Sequence, residues 1–278
     1  MNKKAVESSI KEYFAKMVHK DIKIHNAYLL VHSDKHDIHM NLAEGLTDNM
    51  TAHPDQPHFI ASIGKLFTSV LIGILVEKGM LSYEDTIAQY LDEDLLNDLH
   101  VYKGKDYAKD IKVKHLLNHT SGLHDYFSDK PKHTKPMLDI IFEEPSRYWS
   151  PQETIGWSKE HLKSHFPPGK GFHYSDTGYH LLGLIVEKVT VGPFHKALLD
   201  YIFKPLEMKH SYLAHYSDSI TSNEYPIANL YGRNLNVINY RSLSIDYAGG
   251  GIVATSEDLL KFMQAIVNHE VIKKESAR

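Results

Sequence analysis

The chain has 278 residues, 42% of them hydrophobic, which is enough to bury a sizeable core as one large domain or two small ones. Lys plus Arg 31 against Asp plus Glu 35 leave a formal charge of -4, so no basic excess points to a nucleic-acid backbone as partner. With Cys 0, a disulfide framework, a thiolate nucleophile and a thiolate metal site are all excluded.

The opening stretch MNKKAVESSIKEYFAKMVHK starts basic but lacks the uninterrupted apolar run and small-residue cleavage site of a secretory signal. The sequence therefore predicts a retained N-terminus and a cytoplasmic globular protein with no membrane segment. Residues 3–19 read as an amphipathic helix. KIHNAYLLVHS and HDIHMNLAEG alternate as two strands joined by the polar turn SDKH, an antiparallel hairpin. A long apolar helix from Ile63 to Lys78 follows and stops at Gly79, a favourable residue just past a helix end. SYEDTIAQYLDED predicts one short helix. SPQETIGWSKEHLKSH predicts another, with Ser150 as N-cap, Pro151 in the first turn and Glu153 closing a capping box. FPPGKGFHYSDTGYHLLGLIVEKVTV is a Pro/Gly-rich loop running into a buried helix, and GPFHKALLDYIFKPL is a helix closed by Pro205. DYAGGGIVATSEDLLKFMQAIVNHEV is a glycine run leading to a helix capped at Thr255 or Ser256. No repeat, low-complexity linker or long charge block interrupts the chain.

Ser62 and Lys65 open the long apolar helix, and a lysine there needs a reason. The helix N-terminus favours negative charge, so Lys65 either reaches solvent or acts on Ser62. Residues three apart share a helix face, which brings the amine to the hydroxyl. If its surroundings lower the lysine pKa, the neutral amine can take the serine proton, and the serine's own backbone N–H at the helix start can hold an oxyanion. S-x-x-K alone is a short pattern that chance also produces: Ser8 and Lys11 in SSIK match it on a polar helix face.

His 20 is a high count, and HSDKHDIH (His32, His36, His39), NHTSGLHD (His119, His124, Asp125) and EHLKSH (His161, His165) were weighed as metal ligands. None matches H-E-x-x-H or carries a carboxylate partner at familiar spacing. The sequence predicts surface or hydrogen-bonded histidines, no metal and no cofactor.

Four stretches, HFIASIGKLFTSVLIGILVEKGMLSYEDTIAQYL, VKHLLNHTSGL, PPGKGFHYSDTGYHLLGLIVEKVT and AGGGIVATSEDLLKF, follow one another in an order and at separations that resemble the serine beta-lactamase-related family. The likeness is to the branch of class C beta-lactamases, R61-type D-alanyl-D-alanine carboxypeptidases and related serine esterases, from about residue 20 to about residue 269. It implies an α+β, beta-lactamase/transpeptidase-like fold in which an antiparallel sheet is flanked by helices. Residues 1–62 would form the N-terminal part of the sheet region, a helix plus a hairpin, and residues 63–278 the mainly helical region carrying the motifs.

The resemblance makes Ser62 the acylated nucleophile and Lys65 the group that activates it. It makes Tyr174 of HYSDTGY the tyrosine that relays a proton to the leaving group and then activates the deacylating water. The family usually has Asn where this chain has Asp176; a carboxylate there can accept a bond from Lys65, but holds the amine charged and weakens it as a base. LLNHTSGL is expected to shape the loop beneath the site, His119 and Ser121 bonding that loop rather than substrate. Gly250 supports the site within AGGGIVAT, a close-packing turn in which glycine permits backbone approach and positive φ.

One departure lies near the C-terminus. Family members carry a Lys-Thr-Gly or His-x-Gly element on a later strand, opposite the serine, that supplies the second oxyanion N–H; no such element follows Gly251. The C-terminal strands of the sheet are then missing, and two strands alone are marginal. A longer parent chain, an interrupted gene or a second chain that completes the sheet would each fit, and an open edge would favour self-association. Two functions follow: a serine hydrolase forming an acyl-enzyme with a small ester or amide, esterase-like in kind, or a catalytically silent member used for binding or assembly.

Overall fold

The structure, a computed structural model, describes residues 3–273. Helix α1 (Lys3–Lys20) lies against a hairpin of β1 (Asn26–Ser33) and β2 (Ile38–Thr47), paired antiparallel with Tyr28 opposite Ala43 and Val31 opposite Met40. The hairpin turns through a single 3-10 turn, Asp34–His36, and Asp37 takes the left-handed conformation (φ 51) that a short polar side chain tolerates. The two-residue strand β3 (Met50–Thr51) extends the sheet beyond β2, and the outer edge of β1 carries no strand among the described residues.

The chain then enters β4 (His58–Phe59) and the long helix α2 (Gly64–Glu77). A helix apolar on nearly every side belongs inside. Accordingly, Phe67, Leu71, Ile72 and Leu75 have no accessible surface. Its end is the glycine stop the sequence predicts: Gly79 sits at φ +69, its N–H bonds the Val76 carbonyl and the Met80 N–H bonds the Leu75 carbonyl.

SYEDTIAQYLDED departs from expectation, for it forms two separate single turns, a 3-10 turn at Ile87–Gln89 and α3 (Glu93–Leu96). The Ile87 N–H bonds the Ile111 carbonyl, so tertiary pairing captures a backbone donor at the start of the expected helix. A small ribbon, β5 (Val101–Tyr102) and β6 (Lys105–Asp106), precedes α4 (Val113–Leu117) and α5 (Met137–Glu143). Helix α6 (Pro151–His161) has its predicted capping box, with Ser150 Oγ accepting the Glu153 N–H and the Glu153 carboxylate accepting the Ser150 N–H.

Ser175 caps α7 (Asp176–Thr190), and α8 (Phe194–Leu198) continues as one π turn, Leu199–Phe203, before Pro205. After β7 (Tyr212–Leu213) and the ribbon β8 (Tyr231–Gly232) and β9 (Leu235–Asn236) come α9 (Tyr247–Gly250), β10 (Ile252–Ala254) and α10 (Ser256–Val267), the last capped by Thr255. β10 is the middle strand of a second antiparallel sheet, between β4 and β7. Helix α10 reaches back to β1, and its Phe262 stacks on Phe67 of α2 with ring centroids 3.7 Å apart.

The glycine run works by close approach alone. None of Gly249, Gly250 and Gly251 has positive φ; the strained residue is Tyr247, at φ 32. A Cβ on Gly250 would stand 3.2 Å from the Ala61 carbonyl carbon, and one on Gly249 would meet the Asp176 carboxylate at 2.8 Å. Across the same packing, a Cβ on Gly183 of α7 would come within 2.4 Å of the Tyr247 ring and 2.8 Å of the Ala248 Cβ. Gly183→Ala is therefore expected to destabilise the fold by about 1–3 kcal/mol, the usual cost of overpacking. Urea unfolding followed by circular dichroism measures it, and an unchanged midpoint would show that α7 and α9 can separate freely.

Candidate active site

Ser62 lies on a 3-10 turn, Ala61–Ile63, that runs directly into α2. Ala61 is held at φ 46, a left-handed conformation that costs a residue with a side chain on the order of 1–3 kcal/mol. The Ile60 N–H bonds the Ile252 carbonyl on one side, and Gly250 packs against the Ala61 backbone on the other. This sharp entry leaves the serine exposed at the mouth of a cavity of about 470 Å³.

Lys65, one turn later, points inward and is 6% exposed. Its Nζ donates to the Gly249 carbonyl at 2.7 Å, pairs with the Asp176 carboxylate and reaches Ser62 Oγ at 3.5 Å. Burial alone would lower its pKa, but the Asp176 charge and hydrogen bond, with a further bond to Tyr174, outweigh that and hold it above the ordinary lysine value. Burial pushes the Asp176 carboxyl up, opposed by Lys65, and the pair stands as ammonium and carboxylate at neutral pH. Asp176 occupies the first turn of α7, where the helix dipole favours a negative charge.

Tyr174 comes from the loop just before α7, and its hydroxyl donates to Ser62 Oγ at 2.8 Å. Lys65 Nζ lies 4.9 Å from the centre of its ring. On the side of the LLNHTSGL loop the ring stacks on His119, centroids 4.4 Å apart. His119 Nδ1 accepts the Ser175 N–H at 3.1 Å. Burial, helped by the Lys65 charge, lowers the His119 pKa to about 4, so the imidazole is neutral and its Nδ1 free to accept.

Of the residues singled out in the sequence, Ser62, Tyr174, Asp176 and Gly250 thus line one cavity, and the buried Lys65 reaches Ser62 and Asp176 from behind its wall. Sequence reasoning missed how their supports are arranged. NHTSGLHD, weighed as ligands, scatters: His119 stacks on Tyr174, and Asp125 Oδ1 accepts the Asp176 N–H at 2.9 Å. His124 is buried, and burial lowers its pKa to about 4. In HSDKHDIH, His39 instead bonds Glu257 of α10 at 2.8 Å. The far wall was not legible either; it is apolar, built from Leu138, Ile141 and Phe142 of α5 with Val237 and Leu243, and carries one further carboxyl, Asp246. Burial first, then the neighbouring Asp176 charge, push the Asp246 pKa up to about 7, with Lys65 opposing.

Among the described residues no helix is long and apolar enough to cross a membrane. The chain is 28% identical over 236 residues to penicillin-binding protein 4* of Bacillus subtilis (strain 168), covering 78% of this chain and 46% of that protein. It is 29% identical over 177 residues to protein flp of Staphylococcus aureus (strain MW2), covering 63% and 32%. The chain thus spans less than half the length of either relative. In fold it is similar to the D-amino acid amidase of Ochrobactrum anthropi SV3 complexed with L-phenylalanine amide, with a TM-score of 0.79, 22% identity, and coverage of 98% of this chain and 73% of that one. The beta-lactamase family model matches residues 14–278, and the chain belongs to that family of serine-hydrolase relatives, with its beta-lactamase/transpeptidase fold.

Proposed function

We propose that the chain is a serine hydrolase that passes through an acyl-enzyme on Ser62, with a small ester or amide as substrate. The observation that carries this reading is the pair of donors on one oxygen: Ser62 Oγ accepts from the Tyr174 hydroxyl at 2.8 Å and lies 3.5 Å from Lys65 Nζ, at the cavity mouth. With Lys65 held charged by Asp176, Tyr174 relays the proton: as Ser62 Oγ bonds the carbonyl carbon, its proton passes to Tyr174 Oη while Tyr174 gives its own hydroxyl proton to the departing amine or alcohol, and the adjacent ammonium steadies the phenol oxygen during the exchange. Water opens the resulting ester by the same relay, losing its proton to Tyr174 Oη while Tyr174 donates its hydroxyl proton to Ser62 Oγ, which is freed. The Ser62 backbone N–H, at the approach to α2, supplies one oxyanion donor.

The apolar wall fits a compact apolar acyl group, and Asp246 gives that wall a site for a positive charge. A substrate that presents an amine beside its scissile carbonyl suits both.

A fluorophosphonate label is expected on Ser62, read by peptide mass spectrometry, absent in Ser62→Ala and unchanged in Ser8→Ala. Labelling that survives Ser62→Ala overturns the assignment, and an unlabelled wild-type chain favours a silent, binding member of the family.

Asp176→Asn tests the division of labour. Removing the carboxylate lowers the Lys65 pKa and frees its amine to take the serine proton in place of Tyr174, so the acylation rate of the variant should acquire an acid limb set by Lys65 that the wild type, with its amine held charged, lacks. A pH profile unchanged by the substitution would mean that Asp176 does not set the charge of Lys65.

Asp246 predicts a pH-dependent preference. Below about pH 7 its carboxyl is neutral and above it charged, while an α-amino group stays charged up to about pH 8. The ratio of kcat/KM for an amino-acid amide over its N-acetylated form should rise between about pH 6 and pH 8 and flatten in Asp246→Asn. A ratio indifferent to that substitution would remove Asp246 from recognition.

A further inference from the structure

Behind Tyr174, outside the cavity, the fold assembles a set of donors that the sequence does not place together. His165 and His173 stand at the two ends of the Pro/Gly-rich loop and both turn Nε2 toward Asp129, at 2.8 Å and 3.2 Å. Their rings lie against each other with centroids 3.6 Å apart. One ligand atom from each of the three residues falls within 4.8 Å of the others. Among the described residues no lysine or arginine pairs with Asp129.

We propose that Asp129, His165 and His173 bind a divalent cation of the zinc type, which clasps the Tyr174 segment to the 125–129 turn. Two imidazoles and a carboxylate are a donor set that zinc accepts, with a water in the fourth position. Tetrahedral zinc with bonds of about 2.0–2.1 Å needs its ligand atoms about 3.3 Å apart. Measured to the single oxygen Oδ2 of Asp129, the separation is 3.3 Å for His173, which equals that value, and 2.8 Å for His165, which a small outward shift of the exposed His165 ring would bring to it.

The three residues are also held in place before any ion arrives. The His165 N–H bonds the Gly122 carbonyl at 2.9 Å, and the His173 N–H bonds the His119 carbonyl at 2.9 Å. The Asp129 N–H bonds the Asp125 carbonyl at 3.1 Å, and its carboxylate accepts the Asp125 N–H at 2.9 Å. Gly122, at φ +77, lets the two loops touch, for a Cβ there would fall 1.9 Å from the Phe166 carbonyl oxygen. The cation would add a bond between segments that already lie side by side, and His173 immediately precedes Tyr174.

The test uses the full chain stripped with a chelator, then titrated with zinc chloride by calorimetry and with cobalt chloride by visible absorption. One zinc per chain, cobalt bands of four-coordinate intensity and a zinc-dependent rise in melting temperature are expected. His165→Gln and His173→Gln should each weaken zinc binding about tenfold or more and remove the thermal shift. His165 is more than a third exposed, so its variant is expected to keep the fold. His32→Gln and His39→Gln control for the other histidines and should leave binding unchanged. Failure to saturate one site below about 100 μM zinc, a free energy near that of weak surface ligands, would overturn the proposal. So would six-coordinate cobalt only, or equal zinc affinity in His165→Gln.

Discussion

The buried pair of Lys65 and Asp176 is the constraint around which the rest of this structure is arranged. It joins the first turn of α2 to the first turn of α7, and the Gly249 carbonyl of α9 completes the lysine's shell at 2.7 Å. Removing two charges from water costs several kcal/mol per ion after relaxation, and only close geometry with further hydrogen bonds offsets it. Three elements must therefore approach one ammonium closely. The glycines make that approach possible: Gly64 faces Gly250, Gly249 faces the pair itself, and Gly183 admits the Tyr247 ring. One turn along α2, Thr68 Oγ1 donates to the Ala248 carbonyl at 2.8 Å and repeats the link between the same two helices.

The pair also fixes the electrostatics of the site. A neutral partner at position 176 would remove the largest influence opposing the lysine's burial and shift it toward the free amine; the carboxylate does the reverse. Positive charge then stays beside the Tyr174 ring and near the Ser62 hydroxyl, which in the proposed reaction leaves the relay of the serine proton to the Tyr174 hydroxyl. His119 is kept neutral by burial and by the same lysine, which matches its two tasks, stacking on Tyr174 and accepting the Ser175 N–H. A protonated ring there could not accept that bond.

Local chemistry was legible in the sequence wherever one element decides the outcome. The Ser150 capping box, the Gly79 stop, the antiparallel hairpin with its polar turn and a cap at Thr255 or Ser256, of which the structure uses Thr255, all depend on residues within a few positions of each other. The S-x-x-K spacing suggested that Lys65 can reach Ser62, and Tyr174 of HYSD entered only through the family resemblance; in the structure the three side chains meet. What could not be read depends on pairing between distant segments. Ile87 loses its helix because the Ile111 carbonyl takes its N–H, and the glycine run gives up its expected positive φ because tight packing, not turning, is what it supplies. His119, Asp125 and the α5 wall lie far from Ser62 in sequence, and no local pattern announces that they converge. The histidine motifs group neighbours in sequence, whereas the set that gathers in space draws Asp129, His165 and His173 from separate turns.

Tyr174 is positioned differently from Ser62 and Lys65, and this shapes how the site tolerates change. The serine and lysine ride on α2, which is anchored along its length by core side chains without accessible surface. Displacing them requires moving that helix. Tyr174 stands on a loop, and its place comes from a row of backbone bonds: Gly169 to Thr120, His165 to Gly122 and His173 to His119. Such bonds are insensitive to side-chain identity but sensitive to anything that alters the turn at Gly122, where a side chain would strike the Phe166 carbonyl. Loops held mainly by backbone bonds near solvent open more readily than a buried helix. The place of the tyrosine thus depends on contacts at its back, the His119 stack and the backbone bonds of the loop before it, rather than on a buried helix.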